Sequence, residues 1–118
     1  MAGTSGFAAV FRLRQAGEFG KVFAERRVLR GRQFNLHYRV SGGGSARLGL
    51  VIAKKLARRS VWRNAIKRIG REAFRTARVE LPSMDLVLRL AKPVTAVDVE
   101  SRRVWRQEID ALLLKLPR

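Results

Sequence analysis

Arg58-Arg59-Ser60-Val61-Trp62-Arg63-Asn64-Ala65-Ile66-Lys67-Arg68-Ile69-Gly70-Arg71-Glu72-Ala73-Phe74-Arg75 carries two messages at one period. Trp62, Ile66, Ile69, Ala73 and Phe74 recur at steps of three and four, the spacing of one buried stripe on an α-helix. Arg63, Lys67, Arg71 and Arg75 recur at steps of four and form a second, cationic stripe beside Asn64 and Arg68. Like charges at that spacing repel by a few tenths of a kcal/mol per pair. Glu72 is the only acid between residues 54 and 78 to offset them. A polyanion lying along the stripe would reward the arrangement, because each phosphate neutralised releases condensed counterions. The plainer alternative is a solvated face, but such faces usually interleave both signs.

Upstream, Lys54, Lys55, Arg58 and Arg59 lead into this helix, with Ser60 a candidate N-cap. Cations at a helix N-terminus oppose the macrodipole, so stability is again given up where an anion would restore it. Residues 46–53 have a β pattern, and residues 32–41 alternate, with Phe34, Leu36, Tyr38 and Val40 on one side and Asn35, His37 and Arg39 on the other. Gly42-Gly43-Gly44 between the two strands suggests a tight hairpin. The polar side of the first strand has a ring, a guanidinium and an amide suited to single-stranded nucleic acid; a solvent-facing sheet side is the alternative. Further back, Phe19, Val22 and Phe23 predict a short helix over 16–27, with Leu13 folding back on it and Gly31 as a stop. Phe19 and Phe23 read first as core, although the edge of such a pair can also seat an unpaired base. Residues 1–12, apart from Phe7 and Phe11, read as a flexible segment, leaving 13–118 as a single nucleic-acid-binding domain.

Downstream, Pro82 and Pro93 bracket an apolar strand over 85–91. With strand 46–53 and the basic helix it forms a βαβ unit whose strands are expected to be parallel. Thr95 and Asp98 suggest a capping box for a last helix that buries Trp105, Ile109, Leu112 and Leu116. Its other face, with Glu100, Arg102, Arg103, Arg106, Glu108 and Asp110, reads as ordinary solvation. The expected fold is α+β, a single mixed β-sheet with helices packed against it, in the order α-β-β-α-β-α.

Composition narrows the function. A chain of 118 residues with 47% hydrophobic content can support one core. A net charge of +17, from 26 Lys and Arg against 9 Asp and Glu, exceeds what solubility needs and implies a polyanionic partner. The absence of cysteine excludes disulfides and thiolate metal sites, and one histidine makes no zinc set, so no metal site is expected. No apolar run is long enough to span a bilayer, and the basic residues run through every segment instead of lining one amphipathic helix. A cytoplasmic protein with no membrane partner is expected. The glycine run lacks the Gly-Lys-Ser/Thr that opens a phosphate-binding helix. No acid or nucleophile is spaced around His37, and Glu18 and Glu25 stand apart, so no catalytic residues are expected in the protein itself.

At this point the residues carry a resemblance. Arg63-Asn64-Ala65-Ile66-Lys67-Arg68-Ile69-Gly70-Arg71-Glu72, preceded by Arg47-Leu48-Gly49-Leu50-Val51-Ile52-Ala53-Lys54-Lys55, resembles the signature of the bacterial ribonuclease P protein component, and the element order fits from about Leu13 to Leu116. The resemblance implies a ribosomal protein S5 domain 2-like fold with an unusual left-handed βαβ crossover, against the strong right-handed rule. It implies a subunit of the endoribonuclease that removes the 5′ leader of precursor tRNA. Catalysis would reside in the RNA subunit and its Mg²⁺ ions, and no cofactor would be bound by the protein. The expected partners are the catalytic RNA and precursor tRNA, with no obligate protein partner. Carried over residue by residue, Arg63, Asn64, Lys67, Arg68 and Arg71, with Lys54, Lys55, Arg58 and Arg59, would contact the catalytic RNA. Phe19, Phe23, Phe34 and His37, near Arg12 and Arg39, would line the cleft for the single-stranded leader. Ala65 stands where the family often has a third motif arginine, and His37 where it often has tyrosine. A small basic ribosomal or general RNA-binding protein would share the charge but not the motif spacing. A DNA-binding regulator would need a helix-turn-helix that a helix flanked by strands does not supply.

Overall fold

The computed structural model describes residues 12–117, so the flexible segment expected over 1–12, with Phe7 and Phe11, lies outside the described residues except for Arg12. Regular structure runs in the order α1 (Ala16–Ala24), β1 (Val28–Arg30), β2 (Phe34–Val40), β3 (Arg47–Val51), α2 (Ser60–Ala77), a 3-10 turn at Arg78–Glu80, β4 (Met84–Leu90) and α3 (Val99–Leu114). The strands form one sheet in the order β1-β2-β4-β3, with β3 and β4 parallel and the other neighbours antiparallel.

β4 takes a central place because every residue but Arg89 is buried, on both faces of the sheet. Met84, Leu86, Leu88 and Leu90 point to one side and Val87 to the other, all fully or almost fully buried. On the first side they meet Phe34 and Leu36 of β2, Leu48 of β3, Ile66, Ala73 and Phe74 of α2, and Trp105, Ile109 and Leu112 of α3. Fully burying one large side chain of this kind contributes about 1.5–3 kcal/mol. The second side carries a smaller cluster, in which Val22 of α1 and Leu13 close over Val87, flanked by Phe19 and Val51. Thus α2 and α3 cover one face of the sheet and α1 part of the other.

Several expectations are corrected. β2 and β3 do not pair as a hairpin, because β4 lies between them; the Gly42–Gly44 loop crosses its end, with Ser83 Oγ donating to Gly44 O and Ser41 N–H to Ser83 O. The hairpin is instead β1–β2, which pairs Leu29 with Leu36. Gly31 is not a helix stop. It lies in the β1–β2 turn, where a side chain would collide with the Glu108 carboxylate. α1 ends earlier, at Ala24, and just beyond its C-cap Arg26, with a φ of 57°, turns the chain left-handed. Arg59, not Ser60, occupies the N-cap of α2 and makes no side-chain cap. Asp98, not Thr95, caps α3, accepting from Ser101 N–H at 2.8 Å. Glu108 is not simply solvated: one carboxylate oxygen accepts from Gln33 N–H at 2.9 Å and Phe34 N–H at 2.8 Å, tying α3 to the hairpin. No helix among the described residues is long and apolar enough to cross a membrane.

Candidate nucleic-acid interface

The basic helix sits close to the sheet. Ile66, Gly70, Ala73 and Phe74 are buried, and a Cβ at Gly70 would stand 3.0 Å from Leu50 Cδ2 and 3.1 Å from Leu88 Cδ2. Its other face therefore projects outward, with Asn64 and Arg68 exposed and Arg63, Lys67 and Arg71 half-buried at the margin. The preceding loop is ordered by its own backbone: Ala53 O accepts from Leu56 and Ala57 N–H, and Val94 N–H donates to Leu56 O at 2.8 Å. Buried Ala57 and half-buried Leu56 face inward, which leaves Lys54, Lys55, Arg58 and Arg59 exposed. The Arg59 guanidinium lies 5.7 Å from the centre of the Trp62 ring, a cation–π distance. Arg63 turns back, its Nη1 donating to Ala57 O at 2.8 Å and Arg58 O at 3.0 Å.

Among the described residues none of Lys54, Lys55, Arg58, Arg59, Arg63, Lys67, Arg68 or Arg71 forms an ion pair with an acid. Arg75, the last step of the stripe, differs, because it is paired with Glu72. The cationic surface therefore runs from Lys54 to Arg71. Burial first, and then the charge of Arg12, hold the Arg71 pKa below the ordinary guanidinium value. The two guanidiniums belong to a cleft of about 280 Å³ that also takes in Arg14, Lys67, Phe19 and Gly49. Hence the α2 stripe and the start of α1 share one cationic groove.

The second group of expected residues lies on the α1 side of the sheet. Asn35, His37 and Arg39 point there from β2, and the register sets Arg89 of β4 opposite Asn35. Phe23 is 36% exposed and meets the His37 ring edge-on, centroids 4.9 Å apart and planes at 85°. His37 Nε2 is buried without a hydrogen-bond partner among the described residues. Burial, then the charges of Arg89 and Arg30, lower the His37 pKa and favour the neutral ring. Phe19 is half-buried against Gly49, and Arg12 joins the edge of β3 by a parallel bridge to Leu48. Phe34 is corrected. It is fully buried on the opposite side of the sheet, edge-on to Trp105, and reaches no ligand.

Sequence reasoning passed over a charged cluster on this same side. Asp85 of β4 is 3% exposed. Arg47 of β3 grips it with two bonds, Nε to Oδ1 at 3.0 Å and Nη2 to Oδ2 at 3.1 Å, and gives Nη1 to Glu18 Oε2 on α1 at 2.8 Å. Arg39 Nη1 stands 3.8 Å from Asp85 Oδ2. A single acid in a mostly apolar strand was the available signal, since a buried carboxylate needs a cation. Arg14 and Arg89 were missed as well; lying outside the motif, they are placed by topology alone. Among the described residues no three of His, Asp and Glu come together to hold a metal ion.

Residues 7–116 match the family model described as Ribonuclease P. The chain is 50% identical over 111 residues to the ribonuclease P protein component of Azoarcus sp. (strain BH72), covering 94% of this chain and 90% of that one. It is 34% identical over 113 residues to the protein of the same name from Coxiella burnetii, covering 96% and 91%. The structure of the RNase P protein from Thermotoga maritima in complex with 1-(4-fluorophenyl)-2-thiourea superposes with a TM-score of 0.77 at 29% identity, over 90% of this chain and all of that one. The Staphylococcus aureus RNase P protein shares the fold, with a TM-score of 0.77 at 22% identity over 88% and 93%.

Proposed function

The chain belongs to the ribonuclease P protein family, the protein subunits of the ribonucleoprotein endoribonuclease that processes tRNA, and from that membership we propose how its two basic surfaces divide the work. Lys54, Lys55, Arg58, Arg59, Arg63, Asn64, Lys67, Arg68 and Arg71 bind the catalytic RNA. Phe19, Phe23 and His37, with Arg12 and Arg39, hold the single-stranded 5′ leader of precursor tRNA. Catalysis stays with the RNA, which carries the Mg²⁺ ions, and the assembly works in the cytoplasm.

The observation that carries this reading is a contrast between the two surfaces. The loop before α2 and the first three turns of that helix present cations unpaired with acids among the described residues. Such a surface suits phosphates but has little equipment for reading bases. The α1 side interleaves its cations with acids, Glu18 and Asp85 both pairing with Arg47. It offers the exposed Phe23 ring, backed edge-on by His37, as a face on which a splayed base can stack. Substrate and RNA subunit can then be engaged together, and the groove shared by Arg12, Arg14, Lys67 and Arg71 lies where the two paths meet.

The test is cleavage of a precursor tRNA at low Mg²⁺ by a bacterial ribonuclease P RNA, with and without this chain. Strong stimulation of correct 5′ processing, and no cleavage by the chain alone, is expected. Tight RNA binding without stimulation of the RNA from the same organism would contradict the reading and favour a general RNA-binding protein.

A further inference from the structure

We propose that Glu18 and Arg47 are positioning residues that fix the placement of α1 on the sheet, and thereby the presentation of Phe19 and Phe23 to the leader; this rests on the reading of the α1 side as the leader-binding surface. Apart from the edge-on meeting of Phe23 with His37, the other attachments of α1 are apolar. Val22 closes over Val87, and the Phe19 ring lies against Gly49. Contacts of this kind hold a helix near a sheet but set its rotation and slide only loosely, because hydrophobic burial is non-directional. The bond from Arg47 Nη1 to Glu18 Oε2 is, among the described residues, the only side-chain hydrogen bond between α1 and the sheet.

Both ends of that bond are anchored. Arg47 cannot swing away, since Nε and Nη2 are committed to the two oxygens of Asp85, which is buried and needs them. Glu18 is held from the other direction, because its Oε1 accepts the N–H groups of Arg14 at 3.1 Å and Gln15 at 3.3 Å at the start of the helix. One carboxylate thus ties the first turn of α1 to β3, and through Arg47 to the central strand. A chain of charge-assisted bonds has the directionality that the apolar contacts lack. The chain also neutralises itself: Glu18 and Asp85 satisfy Arg47, so the acid beside the surface presents no bare charge to a phosphate.

The experiment uses the protein reconstituted with its catalytic RNA and two substrates, a precursor tRNA with a leader of several nucleotides and one with a leader of a single nucleotide. Glu18→Gln is expected to raise KM for the long-leader substrate roughly three- to tenfold, the loss that removing one charge-assisted bond gives when it feeds into binding. kcat, KM for the single-nucleotide substrate and affinity for the catalytic RNA should not move. Arg47→Lys keeps a charge beside Asp85 but cannot span both acids, and should give the same pattern without unfolding the sheet. Hydrogen exchange of the α1 amides in the free protein gives a second reading that needs no substrate: it should quicken in Glu18→Gln while β4 stays protected. Equal KM rises on both substrates, or α1 exchange as slow as in the unaltered protein, would overturn the positioning role. If the unaltered holoenzyme does not distinguish the two substrates, the leader reading itself fails, and the exchange result then decides whether the tether holds α1.

Discussion

The Phe19 ring lies so close over Gly49 that a Cβ added there would stand 2.6 Å from its Cζ and 2.7 Å from its Cε2. Gly49 is buried in β3, and Leu13 Cβ would be only 3.2 Å away, so the strand has no room to absorb the methyl group. Gly49→Ala must push the ring outward, and α1 with it. Overpacking of this kind costs about 1–3 kcal/mol. The variant should melt lower and should lose preference for leader-bearing over mature tRNA. Thermal denaturation with paired binding titrations checks both, and an unchanged preference would mean that the ring's seat on Gly49 does not matter to the leader.

Two phenylalanines separate stability from binding. Phe34 is fully buried against Trp105, so Phe34→Ala should cost about 3–5 kcal/mol of stability and weaken every activity together. Phe23 is 36% exposed. Phe23→Ala should leave the melting temperature nearly in place yet reduce affinity for a leader-bearing precursor by about 1–3 kcal/mol if a base stacks there. Equal loss on mature tRNA would remove Phe23 from the leader surface.

The contrast between those rings shows what the sequence contained. Strict alternation in β2 already set Phe34 on the side of Leu36 and away from His37, so residues an odd number apart could not line one cleft. The motif resemblance grouped them, and the pleat separates them. α2, α3 and the parallel β3–β4 pair were legible because their periods run long enough to read. β1, three residues long, is too short to alternate, and the β2–β3 hairpin was inferred from the Gly42–Gly44 break and the nearness of the next strand, which say nothing of a third strand between them. The Leu86-Val87-Leu88 centre of β4, apolar at successive positions, fits a strand covered on both faces, and that burial is what separates β2 from β3. The cations of α2 stand on one element and so were legible. Glu18, Arg47 and Asp85 come from three elements, and no spacing rule predicts that they meet.

His37 gives a pH dependence whose sign is fixed by its surroundings. It faces Arg30 and Arg89, and its ring packs edge-on to Phe23, so its pKa in the fold lies below the ordinary 6.5. The native protein therefore binds fewer protons than the unfolded chain as pH falls through that value. The contribution of His37 to stability is complete above 6.5 and is lost as pH drops toward the lower folded value. Glu18, Glu72, Asp98 and Glu100 are also depressed, but from carboxylate values of 4.5 or less, so their losses come at lower pH. Melting of the free protein should fall between about pH 7.5 and about pH 5.5, and His37→Tyr should flatten that fall. The same slope in both proteins would assign the effect to another group.

Arg63 and Arg68 are both motif arginines, but the structure predicts different losses. Arg68 is exposed on α2, and Arg68→Ala should remove about one unit from the slope of log K against log salt for the catalytic RNA, the signature of one phosphate contact. Arg63 holds the carbonyls of Ala57 and Arg58, and these fix the stretch bearing Arg58 and Arg59. Arg63→Ala releases that stretch, while the bond from Val94 N–H to Leu56 O keeps the rest of the loop attached and the protein folded. Its slope should therefore fall by more than one contact's worth. Arg63→Lys restores the charge but lacks the guanidinium geometry that spans two carbonyls, so it should recover only part of the loss. If Arg63 were a phosphate contact and nothing more, alanine would cost the same as at Arg68 and lysine would restore the slope in full.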